Sequence, residues 1–507
     1  MKNQIPLLLL LICLSAFSQS HKLKLIRSDQ TFIDPNLPNV TIAEGNVHVK
    51  HLGEGVSIKC DKAFFYKSSN TIKAAGNVFV NQGDTLYQKS EYTTYQGAKN
   101  KITSWGGVLI KTHLMELQTD SLVFDRNSQQ LYFEQQGIIK DQTNTLVSKE
   151  GRYHLTSNLF EAIDSVSVIN VDGSTLVSKK LEYYANTGMA NIVAPTTITN
   201  NNNNSIYTEK GFYDTKNQVA EFKDNTLIKF NDLEIEGNDF FYENQHSFYH
   251  AKDDFKLTDA KNKLIIKGGY AELYGDKDSV FISDRAISMI EISPKDSVFL
   301  ASDLLTMVGG KNKRKLTALQ NVKFFKNDLQ GVCGVIQSDE QTGIITFSEN
   351  PIVWAKDTQI TGDSIVIASI VGTKKLDSIK VFGNPKKKAL VARKDSLSNG
   401  FNQLSGENIF GVFYDDQLTE MSIRGTPKSI IYLRDKMGKL IGVDRKEAKK
   451  SIEITFKEEG ISSVSYLKGV TGTTINPSSA EMTEIEDLEG FFWHAEKRPM
   501  KKEDVFE

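Results

Sequence analysis

Gly362-Asp363-Ser364-Ile365 invites a catalytic reading, because it imitates the nucleophile block of a serine hydrolase. Such a block belongs near the N-terminus, with a later Asp-x-x-His to activate the hydroxyl, and that spacing occurs nowhere in the chain. Asp-Ser pairs also precede apolar runs at 278–279, 296–297 and 377–378, so the pair reads as a turn cap. His246 and His250 stand four apart and share one face of a strand. No third metal donor accompanies them, and no metal or catalytic residue is assigned. Basic clusters lie at 311–315 (with Lys313 and Arg314), 386–388 (with Lys387) and 446–450, suited to phosphates or to an anionic membrane surface, or simply to solvated turns.

The 507 residues are 39% hydrophobic and 24% charged, an ordinary globular mixture. A net charge of −2 lacks the basic excess of a nucleic-acid reader, so no nucleic acid is expected as a partner. Residues 1–18 read as a secretory signal peptide: Lys2, then the apolar run 5–14, then Ala16-Phe17-Ser18 as the cleavage site, with Gln19 leading the mature chain. That run is too short for a bilayer span, and Ile12 stands where a lipoprotein signal before Cys13 needs a small residue. Export to the periplasm is the expected location. Cys60 and Cys333 remain, and they read as buried thiols that an oxidising compartment would allow to pair.

The elements that must carry any site follow a beat. A five-residue tag with positions one, three and five on one strand face begins at 61, 91, 120, 149, 179, 209, 238 and 269, at separations of 29 to 31. A second tag, the residue after a Gly-Asn-like turn, runs through Val47, Val78, Val108, Ile138, Val166, Thr196, Thr226, Phe255 and Ala286. With a third short run between them, each unit is expected to hold three strands of five to seven residues. Helical periodicity is absent and β-branched and aromatic residues dominate. A unit of this size cannot bury its own apolar face, so neighbours must stack into a β-solenoid. Beyond about residue 290 the beat loosens to 30 to 42 residues. The expected domains are therefore 19–290, a related 291–476 with longer insertions, and a charged, loosely packed tail 477–507.

Repeated GNV-x-V units, each linked to an acidic-x-small-x-aromatic strand behind a signal peptide, resemble the OstA family, which includes the lipopolysaccharide-transport protein LptA and the soluble N-terminal part of LptD. The C-terminal LEGFFWHAEKRP is similar to the long OstA-like proteins of the Bacteroidetes type. The resemblance implies an all-β, twisted open β-jellyroll, or β-taco, with a greasy groove for lipid A acyl chains and no cofactor. The unpaired backbone of the end rungs suits docking with other lipopolysaccharide-transport proteins through edge strands, or head-to-tail self-association, unless the charged tail and the segment near Pro35 to Pro38 simply cap those ends; membrane-surface contact is also expected. On this reading Val47, Val49, Ala63, Phe65, Val78, Val80, Val108, Ile110, Leu122 and Phe124 line the groove, while Lys313, Arg314 and Lys387 meet phosphates. Inward aliphatics in a solenoid also serve simply as core.

Two other classes compete. A carbohydrate-active parallel β-helix enzyme wants charged residues repeating at one exposed rung position, where this chain repeats aromatics and aliphatics. A structural adhesin wants a C-terminal sorting domain.

Overall fold

The computed structural model describes residues 23–506 apart from 52–54, 84–85, 244, 246, 295, 311–312, 374, 436, 458–459 and 479–484. The signal-peptide reading, Cys13, His246 and the first two residues of the 311–315 cluster lie outside the described residues. Two compact units divide the chain, Met1–Asn201 and Asn202–Glu507. Each is built from antiparallel strands, and no helix among the described residues is long and apolar enough to cross a membrane.

In the first unit Val40–His51, Val56–Tyr66, Thr71–Gln82, Leu86–Gln96, Lys101–Lys111 and Glu116–Asp125 run back and forth, each paired with the next. One beat is thus two long strands here, not the three short ones expected. Three pieces per beat do occur further on, where Asn144–Ser148 and Glu150–His154 together face the single strand Leu159–Asn170.

The Gly-Asn pair that looks like a turn is a corner inside a strand. Gly76 and Asn77 have φ of 76° and 46°, and the register with the neighbouring strand jumps from Lys59 to Lys62 across them. Two consecutive left-handed residues bend the strand as a bulge does. The same device recurs at Gly45-Asn46, Gly106-Gly107 and Asp164-Ser165, and in the second unit at Asp224-Asn225, Asp253-Asp254 and Asp284-Arg285. The first tag supplies the clamp: Asp61 Oδ2 accepts a 2.8 Å hydrogen bond from Asn77 Nδ2, and Glu209 Oε1 one of 3.0 Å from Asn225. A Cβ on Gly76 would sit 2.6 Å from Asp61 Oδ2, so the corner and its clamp need glycine there. Stacked corners fold each sheet into a trough whose two arms enclose the apolar face.

The second unit repeats the pattern in Val219–Phe230, Leu233–Glu243, Phe248–Asp259, Leu264–Tyr274, Ser279–Ser293, Asp296–Val308, Lys315–Lys326 and Leu329–Asp339. Shorter strands follow as far as Thr471–Ile475. The tail is not loose. Residues 485–506 lie back over this unit as a strap, pinned by three glutamines at one cross-strand row of buried positions. Gln403 accepts from Leu488 N at 2.9 Å, Gln359 bonds both His494 N and Phe492 O at 2.8 Å, and Gln330 accepts from Arg498. A glutamine amide carries N–H donors and a carbonyl acceptor side by side, as a strand edge does, which lets an irregular segment satisfy itself against a sheet face. Leu488 and Val505 are buried, and Phe506 packs edge-on to Phe299.

Candidate functional site: the apolar trough

The inward face is read along cross-strand rows. One row at the mouth of the first unit passes through Phe65, Ile72, Tyr95, Ile102, Phe124, Leu131, Tyr153 and Phe160. The facing row on the other arm passes through Val49, Ile58, Val80, Gln88, Ile110 and Leu117. The ten residues expected to line a groove all lie on this inward face; Phe65 is half-buried and the other nine are buried. Here the arms close on each other. The rings of His51 and Tyr95, from opposite arms, meet edge-on with centroids 6.2 Å apart. Tyr183 reaches Asp141 across the same mouth.

Sequence reasoning missed the polar groups inside. Gln88, Ser90, Thr93 and Ser104 are buried together and satisfy one another, with Gln88 Nε2 donating to Ser104 Oγ at 2.5 Å and Thr93 and Ser104 sharing 2.9 Å. Along the corner, Ser178, Thr196, Thr208 and Thr226 replace valine; the first three donate to carbonyls at the bend, as Thr208 does to Lys210 O at 2.9 Å, and the hydroxyls of Thr226 and Thr208 share a 3.0 Å hydrogen bond. The tag's tolerance of Val or Thr was the available signal.

In the second unit the floor is closed and the mouth is not. Phe240, Ala251, Ala271, Ile282, Leu305 and Ala318 form a buried row. Two residues nearer the mouth, the inward row Tyr249, Leu273, Val280 and Met307 opens, with Tyr249 40% and Leu273 37% exposed. Ile290, on the opposing arm beyond the Asp284-Arg285 corner, is 39% exposed. This is a trough with apolar lips facing solvent.

The remaining sequence candidates fall outside it. Asp363 Oδ1 accepts from Asn384 Nδ2 at 2.8 Å, the same clamp that corners use, and Ser364 is a strand residue paired with Ser348 and Phe382. His250 stacks on Phe241 at 5.1 Å and on Tyr270 at 6.1 Å, and burial lowers its pKa. Among the described residues no cluster could hold a metal. Lys313 and Arg314 flank one turn. Lys387 sits in another, where Nζ donates to Asn350 at 3.2 Å and burial lowers its pKa. Cys60 and Cys333 are buried free thiols, pushed by burial to about 11 and about 12.

Comparison with known proteins gives three findings. A family profile described as OstA-like protein matches residues 20–158 and 153–266. No curated protein matches the chain. Among solved structures, LptH of Pseudomonas aeruginosa, described as the LptA-homologous periplasmic component of the lipopolysaccharide transport device, aligns at 13% identity over 22% of this chain and 80% of its own, with a TM-score of 0.20. Residues 20–266, just under half of the chain, match the OstA-like profile on an all-β antiparallel architecture.

Proposed function

We propose that this is a periplasmic lipopolysaccharide-transport protein that shelters acyl chains in its troughs, without catalysis, and passes them toward the outer membrane. The observation that carries this reading is the open mouth of the second unit, where inward-facing Tyr249, Leu273 and Ile290 are left in contact with water. Each buried methylene is worth about 0.8 kcal/mol, so a twelve-carbon chain in such a trough gains roughly 10 kcal/mol over water. A molecule held that strongly is handed from trough to trough and does not diffuse free.

Edges for such handover exist in both units. Leu23–Arg27 and Gln30–Phe32 pair on one side only among the described residues, next to exposed Ile26 and Phe32. Gly460–Leu467 and Thr471–Ile475 do likewise, with Ile461 and Val470 exposed. Unpaired strand edges recruit further strands. They support docking with related troughs or with a second copy of this chain.

Photocrosslinkers at Leu273 and Ile290, and at Phe65, Val78 and Phe124, test the reading in living cells. Glycolipid adducts from the second-unit positions are expected. Protein-only crosslinks from every position would overturn it.

A further inference from the structure

A hollow of about 680 Å³ in the second unit lies between residues 393–399 and the strap, with Arg393, Lys394, Arg498, Asp357 and Trp493 among its walls. Its charge is unbalanced. Asp395 is taken, since Arg434 grips both its oxygens in a buried bidentate pair (Nε to Oδ1, 2.9 Å). Arg498 donates only to neutral acceptors, Gln330 Oε1 at 3.0 and 2.7 Å and Lys356 O at 2.6 Å. No ion pair engages Arg393, Lys394 or Arg498 among the described residues. Lys394, on the strap side of its strand, and Arg498 thus line the hollow with one unengaged carboxylate, Asp357, while Arg393, the preceding residue of that strand, stands at the rim. Burial works against the Arg498 charge, with Asp357 in partial compensation, and an anion in the hollow would relieve it.

The site is also preformed. Ser398 Oγ donates to Asp395 at 2.5 Å and Asp395 N to Gly400 O at 2.9 Å, so the buried ion pair holds the 395–400 loop in one shape. Trp493 is half-buried and backed by Phe401, ring centroids 5.0 Å apart. Its flat wall suits the C–H face of a sugar ring, while Ser396 and Asn399 offer partners for hydroxyls.

We infer that this hollow binds an anionic saccharide, a sugar ring seated on Trp493 with its phosphate held by Lys394 and Arg498 and Arg393 adding charge at the rim. This goes beyond the transport reading and does not depend on the trough.

The test is calorimetric titration of the full chain with glucose 6-phosphate, glucose, inorganic phosphate and adenosine monophosphate. Glucose 6-phosphate is expected to bind saturably, at least tenfold more tightly than any of the others. The double variant Arg393→Ser/Lys394→Ser alters two exposed side chains and should lose at least tenfold in affinity with an unchanged thermal midpoint; Trp493→Leu should lose a similar factor. Equal binding of inorganic phosphate, tighter binding of the nucleotide, or affinity that survives these variants overturns the assignment. A phosphorylated glycolipid in detergent micelles that competes with glucose 6-phosphate points to a lipid headgroup as the source, and one that does not compete points to a free saccharide. Acyl-chain capture from Leu273 is read separately, so failure here leaves the transport reading intact.

Discussion

The phenol of Tyr183 donates a 3.0 Å hydrogen bond to Asp141 Oδ2, joining the two arms of the first unit's trough at its mouth. Burial first, and then the Asp141 charge, raise the Tyr183 pKa well above its ordinary value. The neutral phenol thus acts as a latch. Tyr183→Phe should cost about 1.5 to 3 kcal/mol, the range for a hydrogen bond to a charged group, read as a lowered urea midpoint. An unchanged midpoint would show that the bond contributes nothing to closure.

Alkaline pH should loosen the second unit. Tyr242, raised chiefly by burial, and Tyr270, raised by burial and by its bond to Glu272, both titrate at about 12. The unfolded chain loses these protons near the ordinary tyrosine value of about 10. Their contribution is therefore complete below about pH 10 and is lost as pH rises toward 12. Phenolate absorbance and the thermal midpoint, followed from pH 9 upward, should show late-titrating tyrosines and falling stability together.

The two units should answer differently to a charge on the inward face. Ile110→Asp puts a carboxylate into a site with 0% exposure, and the first unit should fail to fold. Leu273→Asp, at the open lip, should leave the thermal midpoint within a few degrees and lower acyl-chain binding at least tenfold. Equal loss of fold in both variants would contradict an open mouth.

Corner glycines should be intolerant. Gly76→Ala must hold a left-handed backbone and displace Asp61, and is expected to cost about 1 to 2 kcal/mol. Asp61→Ala should cost about 1 kcal/mol, through loss of the clamp on Asn77 alone. The pair forms a double-mutant cycle. Strict additivity would mean that corner and clamp are independent.

The strap should come away when its clips are removed. Gln359→Leu leaves His494 N and Phe492 O without their side-chain partner, and limited proteolysis should then cut near residue 490 first. Resistance equal to that of the unaltered chain would show that aromatic packing of Phe491 and Trp493 on Phe401 is sufficient.

Periodicity alone determined the all-β architecture, the thirty-residue beat and the face that Val47, Val78 and Leu122 share, because alternation along a strand decides which side chains point the same way. It could not distinguish a turn from a corner at Gly76-Asn77, since both need left-handed φ and differ only in whether the strand pairing resumes beyond them. The strap was illegible for a related reason. Its charged composition suggested solvent, while Gln330, Gln359 and Gln403 acquire their meaning only when strands far apart in sequence bring them into one row. Whether the arms touch, as His51 and Tyr95 do, or stand apart, as at Leu273 and Ile290, depends on how each successive strand bends over its neighbour. That bend accumulates across the whole sheet, so the tertiary structure alone decided which trough is shut and which has an open mouth.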